Sequence, residues 1–158
     1  MGNIFAGSEV VQIGVQIEQN GRDFYNTLAK QSKNPKIKEV FGFLAKEEEG
    51  HIKVFQGILD KTQKYEPQGL DADQYYAYLN SLASESVFTR KDKGKEIAAG
   101  IKSDKEAIEV GIGAEKDSIV FYEEIKKVVA DYDAKVVEEV IGQEQGHLNK
   151  LLGLKAQV

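Results

Sequence analysis

Cysteine is absent from all 158 residues, which excludes a disulfide scaffold, a thiolate zinc site, a cysteine-ligated iron–sulfur cluster and a cysteine nucleophile. Any metal must bind through oxygen or imidazole. Proline is scarce, and 2 prolines beside 15 glycines match neither a disordered linker nor a collagen-like repeat. No apolar run approaches the ~20 residues needed to cross a bilayer, and residues 1–20 lack the basic start and apolar stretch of a secretory signal. The expected location is the cytoplasm, with no membrane partner. Basic charge is in deficit, 21 residues against 26 acidic ones for a net charge of -5, so nucleic acid is not an expected partner. The 19 lysines, against 2 arginines, read as surface solubility. What is present is a 41% hydrophobic content, enough for the core of one domain spanning 1–158.

Apolar and small residues recur at helical spacing in four places. Val11, Gly14, Gly21, Tyr25 and Leu28 form one stripe, on a helix from about Ser8 to Lys33, with Glu18 inside it. Asn34 and Pro35 supply a cap and a first-turn proline for a second helix, whose stripe is Ile37, Phe41, Leu44, Phe55 and Ile58. Glu48 and His51 fill the gap in that stripe. Ser103 with Glu106 reads as a capping box before a third stripe of Ile108, Gly111, Ser118, Tyr122, Ile125 and Val129, which contains Glu115. Asp131 or Asp133 is the expected cap of a fourth helix carrying Val137, Val140, Leu151 and Leu154, and Glu144 and His147 sit in its gap. The pattern predicts an all-α fold, an antiparallel four-helix bundle built from two hairpins.

Between the hairpins lies a crossover over 63–102, too long for a tight turn. Within it Asp71 to Ala83 carries Tyr75, Tyr76, Tyr78, Leu79 and Leu82 and reads as a short extra helix across the bundle. Arg90 to Lys95 reads as a solvated charged loop.

The chain repeats itself. Shifted by 97 residues, Gly14, Glu18, Phe24 and Tyr25 fall on Gly111, Glu115, Phe121 and Tyr122; shifted by 96, Glu48, Gly50, His51 and Gly57 fall on Glu144, Gly146, His147 and Gly153. The first glutamate precedes the Glu-x-Gly-His element by 30 residues in one copy and 29 in the other, which suggests a two-fold site. A lone Glu-x-x-His is usually a surface ion pair or a capped core histidine. With 17 glutamates in the chain, both of its histidines would have glutamate at -3 by composition alone about one time in ninety.

Side chains on the inward stripes of four bundled helices meet near the middle, so Glu18, Glu48, His51, Glu115, Glu144 and His147 can converge. Four uncompensated carboxylates buried together would cost more than the whole folding free energy of about 5–15 kcal/mol. Two divalent cations per chain would neutralise them, and carboxylate with imidazole suits iron, manganese or zinc.

The doubled Glu…Glu-x-x-His pattern over four long helices resembles the ferritin-like dimetal-carboxylate proteins, and within them the rubrerythrin-related branch. The resemblance implies terminal ligands at Glu18 and Glu115, bridging ligands at Glu48 and Glu144, and one metal, most often iron, on each of His51 and His147. It implies an oxidoreductase acting on hydrogen peroxide or dioxygen. Where a typical rubrerythrin carries a second glutamate one turn after the third-helix ligand, this chain has Ser118. It also lacks the cysteines of a rubredoxin domain, so electrons would come from a separate donor protein. The long crossover differs from that of hollow-shell storage subunits.

Tyr25 and Tyr122 stand two turns from Glu18 and Glu115 and are candidates for hydrogen-bonding the ligands or relaying electrons, although satisfied core tyrosines are commoner. Glu47 and Glu49 are expected to point away from the site into solvent. Metal binding or storage without turnover, and a bundle with purely structural metals, remain open beside the oxidoreductase. Tyr75, Tyr76, Tyr78 and Phe88 lie on the crossover outside the bundle, a pattern expected of a homodimer contact.

Overall fold

The computed structural model describes residues 7–61, 74, 77–78, 81–83 and 87–158. Four long helices form the bundle: α1 (Gly7–Gln31), α2 (Pro35–Lys61), α4 (Asp104–Ile125) and α5 (Asp131–Lys155). A 3-10 turn (Val87–Thr89) and the short helix α3 (Lys93–Gly100) belong to the crossover. Three residues join α1 to α2 and five join α4 to α5, so each pair is an antiparallel hairpin. The hairpins meet where α1 packs on α4 and α2 on α5. No helix among the described residues is long and apolar enough to cross a membrane.

Local sequence accounts for the helix starts. Asn34 Oδ1 accepts from the Lys36 and Ile37 amides at 3.0 and 3.3 Å, with Pro35 in the first turn where its missing N–H is no loss. Ser103 Oγ accepts from the Glu106 amide at 3.1 Å, and Glu106 reaches back to the Lys102 amide at 3.2 Å, a capping box displaced by one residue. The start of α5 corrects the sequence reading. Its cap is Ala130, which offers no side-chain acceptor, while Asp131 and Asp133 lie inside the first turn, where their charge complements the helix dipole. Asp133 is buried there, 3.4 Å from Lys61 Nζ at the end of α2.

Every residue of the four expected stripes is buried. Phe24, Phe41, Phe55 and Phe121 fill the middle of the core with Ile108, Ile125 and Leu151. Phe55 packs on Tyr122 across the hairpins, ring centres 4.8 Å apart, and Tyr25 stacks on Phe41 at 5.8 Å. Burial of this apolar set, worth about 25 cal/mol per Å², is what drives the four helices together.

The crossover departs from expectation in two places. Arg90 to Lys95 is not wholly a loop: Arg90, Lys91 and Lys95 are exposed, but helix α3 begins at Lys93. The reason lies in Gly94 and Ala98, one turn apart, which are both buried and let α3 lie against α1. Asp92, with φ of 60°, turns the chain into that helix. Phe88 is not outside the bundle either, since it is buried 5.2 Å from the Phe24 ring. The helix expected over Asp71 to Ala83 lies largely outside the described residues, with Tyr75, Tyr76 and Leu79; residues 74, 77–78 and 81–83 are helical. Tyr78 is half exposed.

Candidate metal centre

The structure brings all six sequence-derived candidates together in the centre of the bundle, each less than a twentieth exposed. Glu18, Glu48, His51 and Glu144 place one ligand atom each within 4.8 Å of one another, and so do Glu48, Glu115, Glu144 and His147. Glu48 and Glu144 belong to both groups. The sharing is atom by atom: Glu144 turns Oε1 to His51 Nδ1 at 2.7 Å and Oε2 to His147 Nδ1 at 3.5 Å. Glu48 turns Oε2 to His51 Nδ1 at 3.8 Å and Oε1 to His147 Nδ1 at 3.3 Å. Glu18 meets only His51, at 3.4 Å, and Glu115 only His147, at 3.6 Å. The two imidazoles stack 5.6 Å apart.

Helical periodicity explains the arrangement. Glu48 and His51 are three residues apart on α2, as are Glu144 and His147 on α5, so each pair faces inward as a unit. Glu18 and Glu115 come from the repeat-related positions of α1 and α4.

The tyrosines cross between the hairpins. Tyr25 of α1 donates to Glu115 Oε1 at 2.7 Å, and Tyr122 of α4 donates to Glu18 Oε1 at 2.6 Å. Burial, and then Glu115 beside Tyr25 and Glu18 beside Tyr122, push both phenols well above their ordinary value, so both stay protonated donors. Gly111 makes room for one of these bonds, because a Cβ there would lie 3.4 Å from the Tyr25 hydroxyl and 3.2 Å from Leu151 Cδ1.

Among the described residues, the buried side-chain polar atoms without a hydrogen-bond partner are Glu18 Oε2, Glu115 Oε2, Glu144 Oε1, His51 Nδ1 and both ring nitrogens of His147. All belong to this cluster. Close approach without hydrogen-bond alignment is what ligand atoms aimed at a common cation look like, and a carboxylate–imidazole donor set fits divalent cations of intermediate hardness. Electrostatics agree. Burial would lower the His51 imidazole, yet Glu144 and Glu18 push it up to about 11; burial likewise opposes, and Glu115 and Glu144 raise, His147 to about 10. Burial, with Glu144 beside it, holds the Glu115 carboxyl well above the usual carboxylate range. Without metal the cluster therefore holds extra protons, which offset part of its negative charge.

Three neighbours escaped the sequence reading. His51 Nε2 meets Gln143 Oε1 at 2.5 Å, which turns Nδ1 inward toward Glu144, Glu18 and Glu48. Glu47, expected in solvent, is half-buried with Oε1 3.9 Å from His147 Nε2. Gln143 and Glu47 occupy matching places in the two copies, each directly before the Glu-x-x-His glutamate, a signal the repeat already contained. Glu49 pairs with Arg22 at 2.9 Å. The third is Asn20, two residues beyond Glu18 on α1 and fully buried against crossover backbone. Ser118 points its hydroxyl to Ala114 O at 2.9 Å, back along its own helix.

A solved structure described as a ferritin-like diiron-carboxylate protein, from Thermotoga maritima, is similar to this chain with a TM-score of 0.71 and 27% identity, covering 99% of this chain and 98% of its own. No curated protein matches the sequence. The family model described as Rubrerythrin matches residues 9–155, and the chain belongs to the rubrerythrin family.

Proposed function

We propose that the chain is a non-haem di-iron oxidoreductase that reduces hydrogen peroxide in preference to dioxygen, with electrons returned by a separate donor protein. Glu18, Glu48, His51, Glu115, Glu144 and His147 would hold the two ions. Glu48 and Glu144 would serve both, because each directs one carboxylate oxygen toward each histidine. That division of oxygens is the observation that carries the reading.

When bound, two iron ions supply electrons and Lewis acidity. The chain supplies the rest. Tyr25 and Tyr122 fix the orientation of Glu115 and Glu18 and keep a proton at the edge of the site. Phe55, packed on Tyr122, and Leu151, next to Gly111 and Tyr25, are fully buried and keep bulk water out. Beside Glu48 and Glu115 lies a small pocket of about 10 Å³, also bordered by Gly21, Tyr25 and Ser118, narrow enough to take only the smallest molecules. Its size favours an oxidant of two oxygen atoms over an organic substrate. Overall, one hydrogen peroxide takes up two electrons and two protons and leaves as two waters.

The half-exposed Tyr78 supports a homodimer formed through the crossover; sedimentation equilibrium should give twice the 17.5 kDa of one chain. The reaction is tested by stopped-flow oxidation of the anaerobically iron-loaded, reduced protein. Faster oxidation by hydrogen peroxide than by dioxygen is expected. A faster reaction with dioxygen, or none with either, would remove the peroxidase assignment.

A further inference from the structure

Asn20 is a fully buried amide on α1, two residues beyond Glu18, and its hydrogen bonds go to the crossover. Nδ2 donates to the carbonyl oxygens of Phe88 at 2.5 Å and Arg90 at 2.6 Å, while Oδ1 accepts from the Gly94 amide at 3.1 Å. The backbones also touch, since a Cβ on Gly94 would fall 2.0 Å from Asn20 O. One side chain thus fastens residues 88, 90 and 94 to the helix that carries Glu18. Fastened in this way, Phe88 is 3% exposed and lines the pocket beside Glu48 and Glu115. The other walls of that pocket come from α1, α2 and α4; Phe88 alone comes from the crossover.

We infer that Phe88, positioned by Asn20, sets the size limit of the oxidant, admitting hydrogen peroxide and excluding alkyl hydroperoxides. The inference rests on the oxidoreductase reading and deepens it. The excluded reaction is chemically equivalent: an alkyl hydroperoxide accepts two electrons and two protons, its O–O bond breaks, and an alcohol and water leave, with the same donor protein as reductant. Only space separates the two oxidants. The pocket has no room for a branched carbon group, and Phe88 is the largest side chain of its wall outside the carboxylates and the tyrosine bonded to them. Gly21 offers the opposite change, because an added Cβ would sit 3.4 Å from the Glu48 carboxylate, in ordinary contact, and fill the space.

Two measurements on the same variants test this. In crystals of zinc-loaded protein under xenon pressure, Phe88→Ala should bind xenon beside Glu48, whereas the unsubstituted protein and Gly21→Ala should not. In stopped-flow oxidation of the reduced iron-loaded protein, the rate ratio of tert-butyl hydroperoxide to hydrogen peroxide should rise at least about tenfold in Phe88→Ala. Asn20→Ala should raise the ratio too, because it frees Phe88 without shortening it. Phe88→Leu should give the same change in smaller degree and serves if the alanine variant does not fold. A xenon-filled pocket with an unchanged ratio would overturn the size limit, and so would absence of xenon from Phe88→Ala. If the unsubstituted protein does not react with hydrogen peroxide at all, the oxidoreductase reading fails, and the xenon result still decides whether Phe88 closes the pocket.

Discussion

The Tyr122 hydroxyl donates to Glu18 Oε1 at 2.6 Å from the opposite hairpin, and its repeat partner Tyr25 returns the same bond to Glu115 at 2.7 Å. Each hairpin therefore holds a carboxylate of the other's half of the cluster. The bonds couple assembly of the bundle to the shape of the site, since neither carboxylate is oriented until both hairpins have docked.

Removing one hydroxyl leaves a buried carboxylate short of its donor. Tyr25→Phe and Tyr122→Phe should each cost the metal-free protein about 1–3 kcal/mol, by similar amounts because the two environments match. Chemical denaturation measures this. A negligible cost in both would show that the carboxylates find other donors.

Bridging carboxylates serve two ions and terminal ones serve one. Glu48→Ala and Glu144→Ala should therefore lose more metal than Glu18→Ala or Glu115→Ala, as read by elemental analysis of reconstituted protein. Equal losses in all four would count against the bridging assignment.

The metal-free protein should be less stable in base. His51 and His147 ionise at about 11 and about 10 in the folded chain against an ordinary 6.5, so the folded state binds more protons. Their contribution is fully present below 6.5 and is lost as pH rises through the folded values. The raised Glu115 acts in the same sense. In the presence of chelator, Tm followed by circular dichroism should be lower at about pH 9.5 than at about pH 6.5. A Tm that rises over this interval would mean that the histidines are not held protonated by the carboxylates.

Gly94→Ala should loosen the crossover from α1, because the backbone of Asn20 cannot yield to a Cβ at 2.0 Å. Overpacking of this kind costs about 1–3 kcal/mol. Hydrogen exchange at residues 93–98 should accelerate, while metal content stays unchanged. Unchanged exchange would show that α3 is held from elsewhere.

The bundle and the convergence of six inward carboxylate and imidazole side chains were legible because helical periodicity and an internal repeat both leave marks in sequence. Glu48 and His51 had to share a face at a spacing of three, and burial on apolar stripes did the rest. The crossover was less legible. The fully buried positions of its helix over 93–100 are Gly94 and Ala98, too small to stand out beside a run of charges, and its anchor is an asparagine 74 residues away. Glu47 was misread for a similar reason: its own helix turns it outward, and only the neighbouring α5 brings it within 3.9 Å of His147. Long-range partners of this kind are not written in local pattern.

The most direct test of the dimetal site is anomalous diffraction at the iron edge from crystals of the iron-loaded protein. Two peaks per chain should appear, both bonded to Glu48 and Glu144, one also to Glu18 and His51 and the other to Glu115 and His147. A single peak, or iron bound away from these six residues, would contradict the account.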